Sequence, residues 1–196
     1  PVLDTITTVP LEENQTDVQL ALITANDPDN VGDVPTDPTY DNVSLSVGGA
    51  DAASFSINAS NYLTFTGPAN YETDKKSYEI NVVATDGAGN TDIESLTIAV
   101  GDVNDDPVIT SDTGSPVDEG STEIYTAAAS DEDAGTTLTY SISGTDADKM
   151  TIDGSGVVTL NSAANFESQP SYSFDLTVGD GTCLLYTSPS PRDLST

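Results

Sequence analysis

The chain has 196 residues, with 33 Asp and Glu against 4 Lys and Arg, no His and a single Cys, giving a formal net charge of −29 at pH 7. That charge makes nucleic acid and anionic membrane surfaces poor partners, and its self-repulsion opposes a compact state, which leaves two readings: bound divalent cations, or an acidic surface adapted for solubility in salty water. Without His, the usual Ser/His and Cys/His nucleophile systems and the common zinc sites are unavailable, and the length allows one or two small domains of about 100 residues or more each.

In chain order the elements read as short strands. Pro1-Val2 looks like the residues that follow a hinge, and no initiator Met or signal peptide precedes it, so the sequence reads as an internal fragment of a longer secreted chain. Val18, Leu20 and Leu22 alternate with Asp17, Gln19 and Ala21, the period of a half-buried strand with those three side chains inward. The same period recurs in Tyr78, Ile80 and Val82, in Leu96, Ile98 and Val100, in Leu138, Tyr140 and Ile142, and from Tyr172 to Val178. Clusters of Gly, Asn, Asp and Pro separate the runs, and no segment sustains a helical period.

The runs belong to an internal repeat. Asp27 and Asp29 return as Asp131 and Asp133, Glu13 as Glu119, Asn70-Tyr71-Glu72 as Asn165-Phe166-Glu167, and Asp86-Gly87 as Asp180-Gly181. The spacing falls from 104–106 residues to 94–95 because Val31 to Pro38 has no counterpart in the second copy. The expected fold is all-β, two tandem Greek-key β-sandwiches. The expected organisation is repeat 1 over 1–101, a linker over 102–107, repeat 2 over 108–182 and a tail over 183–196. The tyrosines fall at strand positions, which assigns them to packing rather than to a sugar-binding platform.

The carboxylates cluster at predicted strand ends, at Asp27/Asp29, Asp131/Asp133 and the run Asp102-Val103-Asn104-Asp105-Asp106-Pro107. Residues two apart in extended chain project the same way, so each Asp-x-Asp pair can present two carboxylates to one ion. Hard oxygen donors without nitrogen or thiolate ligands fit calcium, which takes about 6 to 8 oxygens. Val103 would contribute only its carbonyl, and Pro107 keeps the run extended. An EF-hand starting at Asp27 fails, because Pro38 falls where the bidentate Glu belongs; one starting at Asp131 puts Ile142 there. Carboxylate pairs on wet strand ends also lack the drier pocket that a glycosidase acid requires, so no enzyme is expected.

Glu13-Asn14, Ala25-Asn26-Asp27-Pro28-Asp29, Asn70-Tyr71-Glu72, Ala84-Thr85-Asp86 and the Asp102-to-Pro107 run together resemble the signature of cadherin repeats, in their bacterial cadherin-like form, across both copies from about Pro1 to Thr182. The resemblance implies a seven-strand sandwich and calcium ions bound where successive repeats join. In the junction it implies here, repeat 1 supplies Glu13 and Glu72. The linker supplies Asp102, Asp105, Asp106 and the carbonyls of Val103 and Asn104, and repeat 2 supplies Asp131, Asp133 and Asp180. Asp27, Asp29 and Asp86 then form half of a preceding junction, and Glu119 and Glu167 half of a following one. Asn70 departs from the frequent Asp of the family, Asp106 replaces a frequent Asn, and the linker is one residue shorter before its proline than in animal cadherins.

The function so implied is a calcium-rigidified segment of a large bacterial surface or secreted adhesin, extracellular or on the cell surface, acting as an extender and in cell adhesion. Its partners would be neighbouring repeats of the same chain and other cell-surface proteins or glycans, with no membrane insertion of this segment. The alternative is an accessory spacer or carbohydrate-binding module of a secreted polysaccharide-degrading enzyme. The residues from Cys183 to Asp193 look like a translated sequencing adaptor. With them set aside, no disulfide is expected and repeat 2 lacks the counterpart of Leu96 to Val100, so that it is expected to be truncated before its last strand and marginally stable.

Overall fold

Segments that are apolar at every second position can bury one side only as extended strands, and the whole chain is built from such strands. A computed structural model of the protein describes residues 1–27, 43–112, 114, 116–182, 184–186 and 190–195, with the side chains of 184–195 left out, and divides it into two compact units, Pro1–Val103 and Asn104–Thr196. Asp29 and the insertion from Val31 to Pro38 lie outside the described residues.

The first unit contains β1 (Val2–Leu3), β2 (Leu11–Glu12), β3 (Val18–Leu22), β4 (Ala25–Asn26), β5 (Ser44–Gly48), β6 (Phe55–Ile57), β7 (Tyr62–Phe65), β8 (Ser77–Thr85) and β9 (Thr91–Gly101). One sheet runs β2-β9-β8-β5 and the other β3-β7-β6, while β1 pairs with β4. The hairpin β6-β7 lies in one sheet and the next hairpin, β8-β9, in the other, which is Greek-key wiring of a sandwich. Among the described residues of this unit all pairs are antiparallel except β2 with β9, where Leu11 faces Val100. Leu11, Leu63, Phe65, Ile80, Val82 and Ile98 are buried together between the sheets. The rings of Phe55, Phe65 and Tyr78 stand 5.2 to 5.6 Å apart in tilted or edge-on contact, adding about 0.5–1.5 kcal/mol per pair beyond burial.

Tyr78, Ile80 and Val82 point inward as their alternation predicts, but β3 departs from it. Its register to β7 shifts between Gln19 and Ala21. This bulge adds one residue to β3 alone and reverses the alternation after Leu20. Ala21 and Ile23 are therefore buried, at 7 % and 0 % exposure, and Leu22 turns outward at 53 %.

The second unit repeats the pattern with β10 (Val108–Ile109), β11 (Val117–Asp118), β12 (Glu123–Thr126), β13 (Ala129–Ser130), β14 (Thr139–Ser143), β15 (Met150–Ile152), β16 (Val157–Leu160), β17 (Ser171–Gly179), β18 (Leu184–Tyr186) and β19 (Ser190–Ser195). Val108 faces Ser130 as Val2 faces Asn26, and β12 carries the same bulge against β16, between Glu123 and Tyr125. A short 3-10 turn begins after Asp51 in the first unit and after Asp146 in the second. Each of these carboxylates anchors its turn to the neighbouring strand. Asp51 accepts from Lys75 and from the Glu79 N–H at 2.8 Å, and Asp146 from Lys149 at 2.7 Å and the Ser173 N–H at 2.9 Å.

At the end of the second unit the pairing is divided between two short strands. β18 and β19 both pair with β17, and β19 also runs parallel to β11, with Val117 opposite Leu194. They occupy the place that β9 fills in the first unit. An extended edge carrying unpaired N–H and C=O groups is costly, and the following residues satisfy it whatever their side chains.

Candidate metal centre

In the first unit the acidic end is built around Glu13. Parallel pairing of β2 with β9 brings Glu13 beside the end of β9, where its N–H donates to the Gly101 carbonyl at 3.1 Å. Its side chain is only 1 % exposed. Such burial is tolerated because both carboxylate oxygens accept main-chain hydrogen bonds, from Tyr71 N–H at 2.5 Å and Val103 N–H at 2.8 Å. The loop from Ala69 to Asp74 is held against it. Asn14, at φ 62°, donates its N–H to Ala69 at 2.9 Å, and the Asn70 side chain accepts from the N–H and the hydroxyl of Thr73, both at 2.7 Å. Lys76 covers the Tyr71 ring, with its ammonium 3.9 Å from the centroid. The loop thereby sets Glu72 so that one carboxylate oxygen lies within 4.8 Å of one on Glu13, and one within 4.8 Å of one on exposed Asp102.

In the second unit the segment after Val103 gathers the remaining predicted residues. Asp105 donates its N–H to Asp133 Oδ2 at 2.8 Å, and Asp133 donates its own to Asp131 Oδ1 at 2.9 Å. Asn104 Nδ2 donates to Asp180 Oδ2 at 2.6 Å, and the other oxygen of Asp180 accepts from the Thr182 N–H, also at 2.6 Å. Asp131 Oδ2 is buried and has no hydrogen-bond partner among the described residues. Asp106 is exposed. These donors are all hard oxygens of carboxylate, amide or main-chain carbonyl, the set a calcium-like cation takes, and each bonded carboxylate oxygen keeps a second lone pair. The unpartnered oxygen of Asp131 fits a cation better than it fits an apolar surround.

Four of the positions expected as half-sites lie among the described residues. Asp27 is half-buried after β4. Asp86 closes a turn, accepting from the Ala88 and Asn90 N–H groups at 2.9 and 2.8 Å and from the Asn90 side chain at 2.8 Å, with the Pro1 ammonium 3.7 Å away. The Asn90 side-chain hydrogen bond, helped by those main-chain N–H groups and the ammonium, holds its carboxyl below the usual carboxylate range. Glu119 is exposed although the loop beneath it matches that of Glu13, with Gly120 N–H on the Ala164 carbonyl at 2.8 Å. No main-chain donor among the described residues plays for Glu119 the part that Val103 plays for Glu13. Glu167 is exposed as well.

Sequence reasoning missed three partners: the Tyr71 and Val103 amides that clamp Glu13, and the Asn104 side chain, which reaches Asp180. Only the last had a signal, an amide residue inside an acidic run. The clamps join residues 58 and 90 positions apart, which no local pattern records.

A two-sheet sandwich repeated in tandem, with carboxylates collected at strand ends, defines the class of cadherin-like and Ig-like β-sandwich domains. The chain belongs to the bacterial Ig domain family, whose model matches residues 1–99 and again 104–187. It is similar to mouse protocadherin Fat 4, at 33 % identity over 137 residues, a stretch covering 64 % of this chain and 3 % of that protein. Among solved structures it resembles domains EC1-2 of human protocadherin-24, with a TM-score of 0.64 at 19 % identity over 97 % of this chain and 95 % of that one. It also resembles Drosophila N-cadherin EC1-4, with a TM-score of 0.63 at 21 % identity, covering all of this chain and 50 % of that one. Among the described residues no helix is long and apolar enough to cross a membrane.

Proposed function

We propose that the chain is a calcium-rigidified segment of tandem repeats in a large bacterial adhesin, extracellular or on the cell surface, and that it acts as an extender and in cell adhesion. The observation that carries this reading is the collection of hard oxygens at the acidic strand ends, with the Asp131 oxygen buried and lacking a donor. The proposed ligands are Glu13, Glu72, Asp102, Asp105, Asp106, Asp131, Asp133 and Asp180, with the carbonyls of Val103 and Asn104. Asp27, Asp29, Asp86, Glu119 and Glu167 are proposed half-sites that bind weakly in this chain alone. Calcium bound by ligands from both repeats would couple binding to interdomain order, and its removal would leave clustered carboxylates repelling one another. The kinship with cadherin domains supports the extracellular placement and the adhesive role, with neighbouring repeats and other cell-surface proteins or glycans as partners.

The test is calcium titration calorimetry paired with solution scattering, with a magnesium control at matched ionic strength. Saturable binding with a longer, stiffer particle, lost on Asp105→Ala or Asp133→Ala, is the expected result; a response no different from magnesium would overturn the proposal. The reading of Cys183 to Asp193 as a translated adaptor belongs to the same proposal and is checked by resequencing the parent gene.

A further inference from the structure

The turn that joins β6 to β7 and the turn that joins β15 to β16 have one geometry and different chemistry. In the first unit Asn58 donates its N–H to the Tyr62 carbonyl at 3.0 Å and Asn61 donates to the Asn58 carbonyl at 2.9 Å. Asn58 Oδ1 accepts from the N–H groups of Ser60 and Tyr62 at 2.9 and 3.0 Å. In the second unit Asp153 donates to the Val157 carbonyl and Gly156 to the Asp153 carbonyl, both at 3.0 Å, while Asp153 Oδ1 accepts from the N–H groups of Ser155 and Val157 at 2.8 and 3.0 Å. Asn61 and Gly156 take the same left-handed place, at φ 63° and 83°. The turn therefore needs a side-chain oxygen and no side-chain nitrogen, because a carboxylate builds it as well as an amide does. The amide nitrogen of Asn58 is surplus to the fold. It belongs to Asn58-Ala59-Ser60, an Asn-x-Ser triplet without proline, which is the acceptor pattern for N-glycosylation, and Ser60 is exposed.

A second difference accompanies the first. The bulge in β3 turns Leu22 outward, at 53 % exposure, opposite Tyr62 of β7. Leu63 is fully buried, so its neighbour Tyr62 faces the same outer side of the sheet as Leu22. At these two places the second unit has Thr126 and Val157. The outward Leu and Tyr pair thus stands beside the turn that carries the amide, and a smaller, more polar pair stands beside the turn that carries the carboxylate. We propose that Asn58 is an N-glycan acceptor and that its first sugar covers Leu22 and Tyr62. Asn58 Nδ2 attacks the anomeric carbon of a sugar activated as a glycosyl diphosphate. The N–C bond forms as the C–O bond to the diphosphate breaks, the diphosphate leaves with the electron pair, and the amide proton passes to a base of the transferase. Oδ1 keeps both main-chain donors in the product, so the turn survives the modification, and the C–H face of the sugar removes the apolar pair from water. The assignment goes beyond the calcium reading and does not depend on it.

The experiment incubates the folded full chain with a soluble Asn glycosyltransferase and UDP-glucose and, separately, with a membrane oligosaccharyltransferase and its lipid-linked oligosaccharide. Peptide mass spectrometry reads the occupancy of Asn14, Asn42 and Asn58, each of which begins an Asn-x-Ser or Asn-x-Thr triplet. Sugar on Asn58 is expected, and the arm that supplies it identifies the donor as nucleotide-linked or lipid-linked. Ser60→Ala should lower that occupancy about tenfold or more. Asn58→Asp, the residue of the second unit's turn, should abolish it while the unmodified first unit melts within about 2 °C of the parent. The modified parent should melt about 3 °C or more above the unmodified one, and Leu22→Thr with Tyr62→Val should remove most of that rise without lowering occupancy. Asn58 left bare in both arms, sugar on Asn14 or Asn42 in its place, or occupancy unchanged by Ser60→Ala would overturn the acceptor assignment. An undiminished rise in the Leu22 and Tyr62 double variant would overturn the covering of that pair.

Discussion

Glu13→Gln separates the structural part played by the buried carboxylate from its proposed part as a calcium ligand. The amide keeps one oxygen to accept from Tyr71 or Val103 but turns an NH2 toward the other donor, orphaning a buried N–H at a cost of about 1–3 kcal/mol. The same change removes the repulsion between Glu13 and Glu72. For oxygens within 4.8 Å, that repulsion is about 3 kcal/mol at an effective dielectric constant of about 20. The two effects nearly cancel, so in calcium-free buffer the variant should melt within about 5 °C of the parent. With calcium the balance changes, because a neutral ligand replaces an anionic one. A ten- to hundredfold loss of affinity removes about 1.4–2.7 kcal/mol of linked stabilisation, or about 6 °C or more of the calcium-induced rise in a domain near 100 residues. Calorimetric melting of the first unit in chelator and in saturating calcium measures both. A calcium-induced rise as large as the parent's would refute the ligand role, and a fall of more than about 10 °C in chelator would refute the cancellation.

Asp146 is held below the ordinary carboxylate range chiefly by its hydrogen bond to Lys149, against the opposing effect of burial and with help from the Ser173 N–H and Gln169. A depressed carboxyl stabilises the fold above its unfolded value near 3.9, and that contribution is lost as pH falls through the lower folded value. Asp146→Asn should therefore destabilise the chain to urea at pH 7, by about 1–3 kcal/mol, and the difference from the parent should shrink as pH falls through the depressed folded value; a difference that stays constant as the pH is lowered would contradict the assignment. The bulge in β3 predicts that Leu22→Ser changes stability by about 0.5 kcal/mol at most while Ile23→Ser costs about 2 kcal/mol or more, read from denaturant midpoints; the reverse order would place the bulge wrongly. Phe174→Ala, at 0 % exposure in the second core, should cost about 3–5 kcal/mol and show as selective loss of amide protection in that unit.

Much of this architecture is written locally. Period-2 runs such as Tyr78 to Val82 specify strands and their inward faces, because successive side chains of extended chain point to opposite sides. The ordered acidic landmarks and their recurrence identify two copies of one fold. Tertiary structure decided the rest. The outward turn of Leu22 depends on an extra residue in β3 that registers only against β7. The burial of Glu13 depends on amides that the fold brings from Tyr71 and Val103, and Asp51 and Asp146 act as anchors only because β8 and β17 pass beside them. The closure of the second unit by β18 and β19 follows from an open backbone edge that must be paired, a demand of the sheet as a whole that no side-chain pattern in residues 183–196 announces.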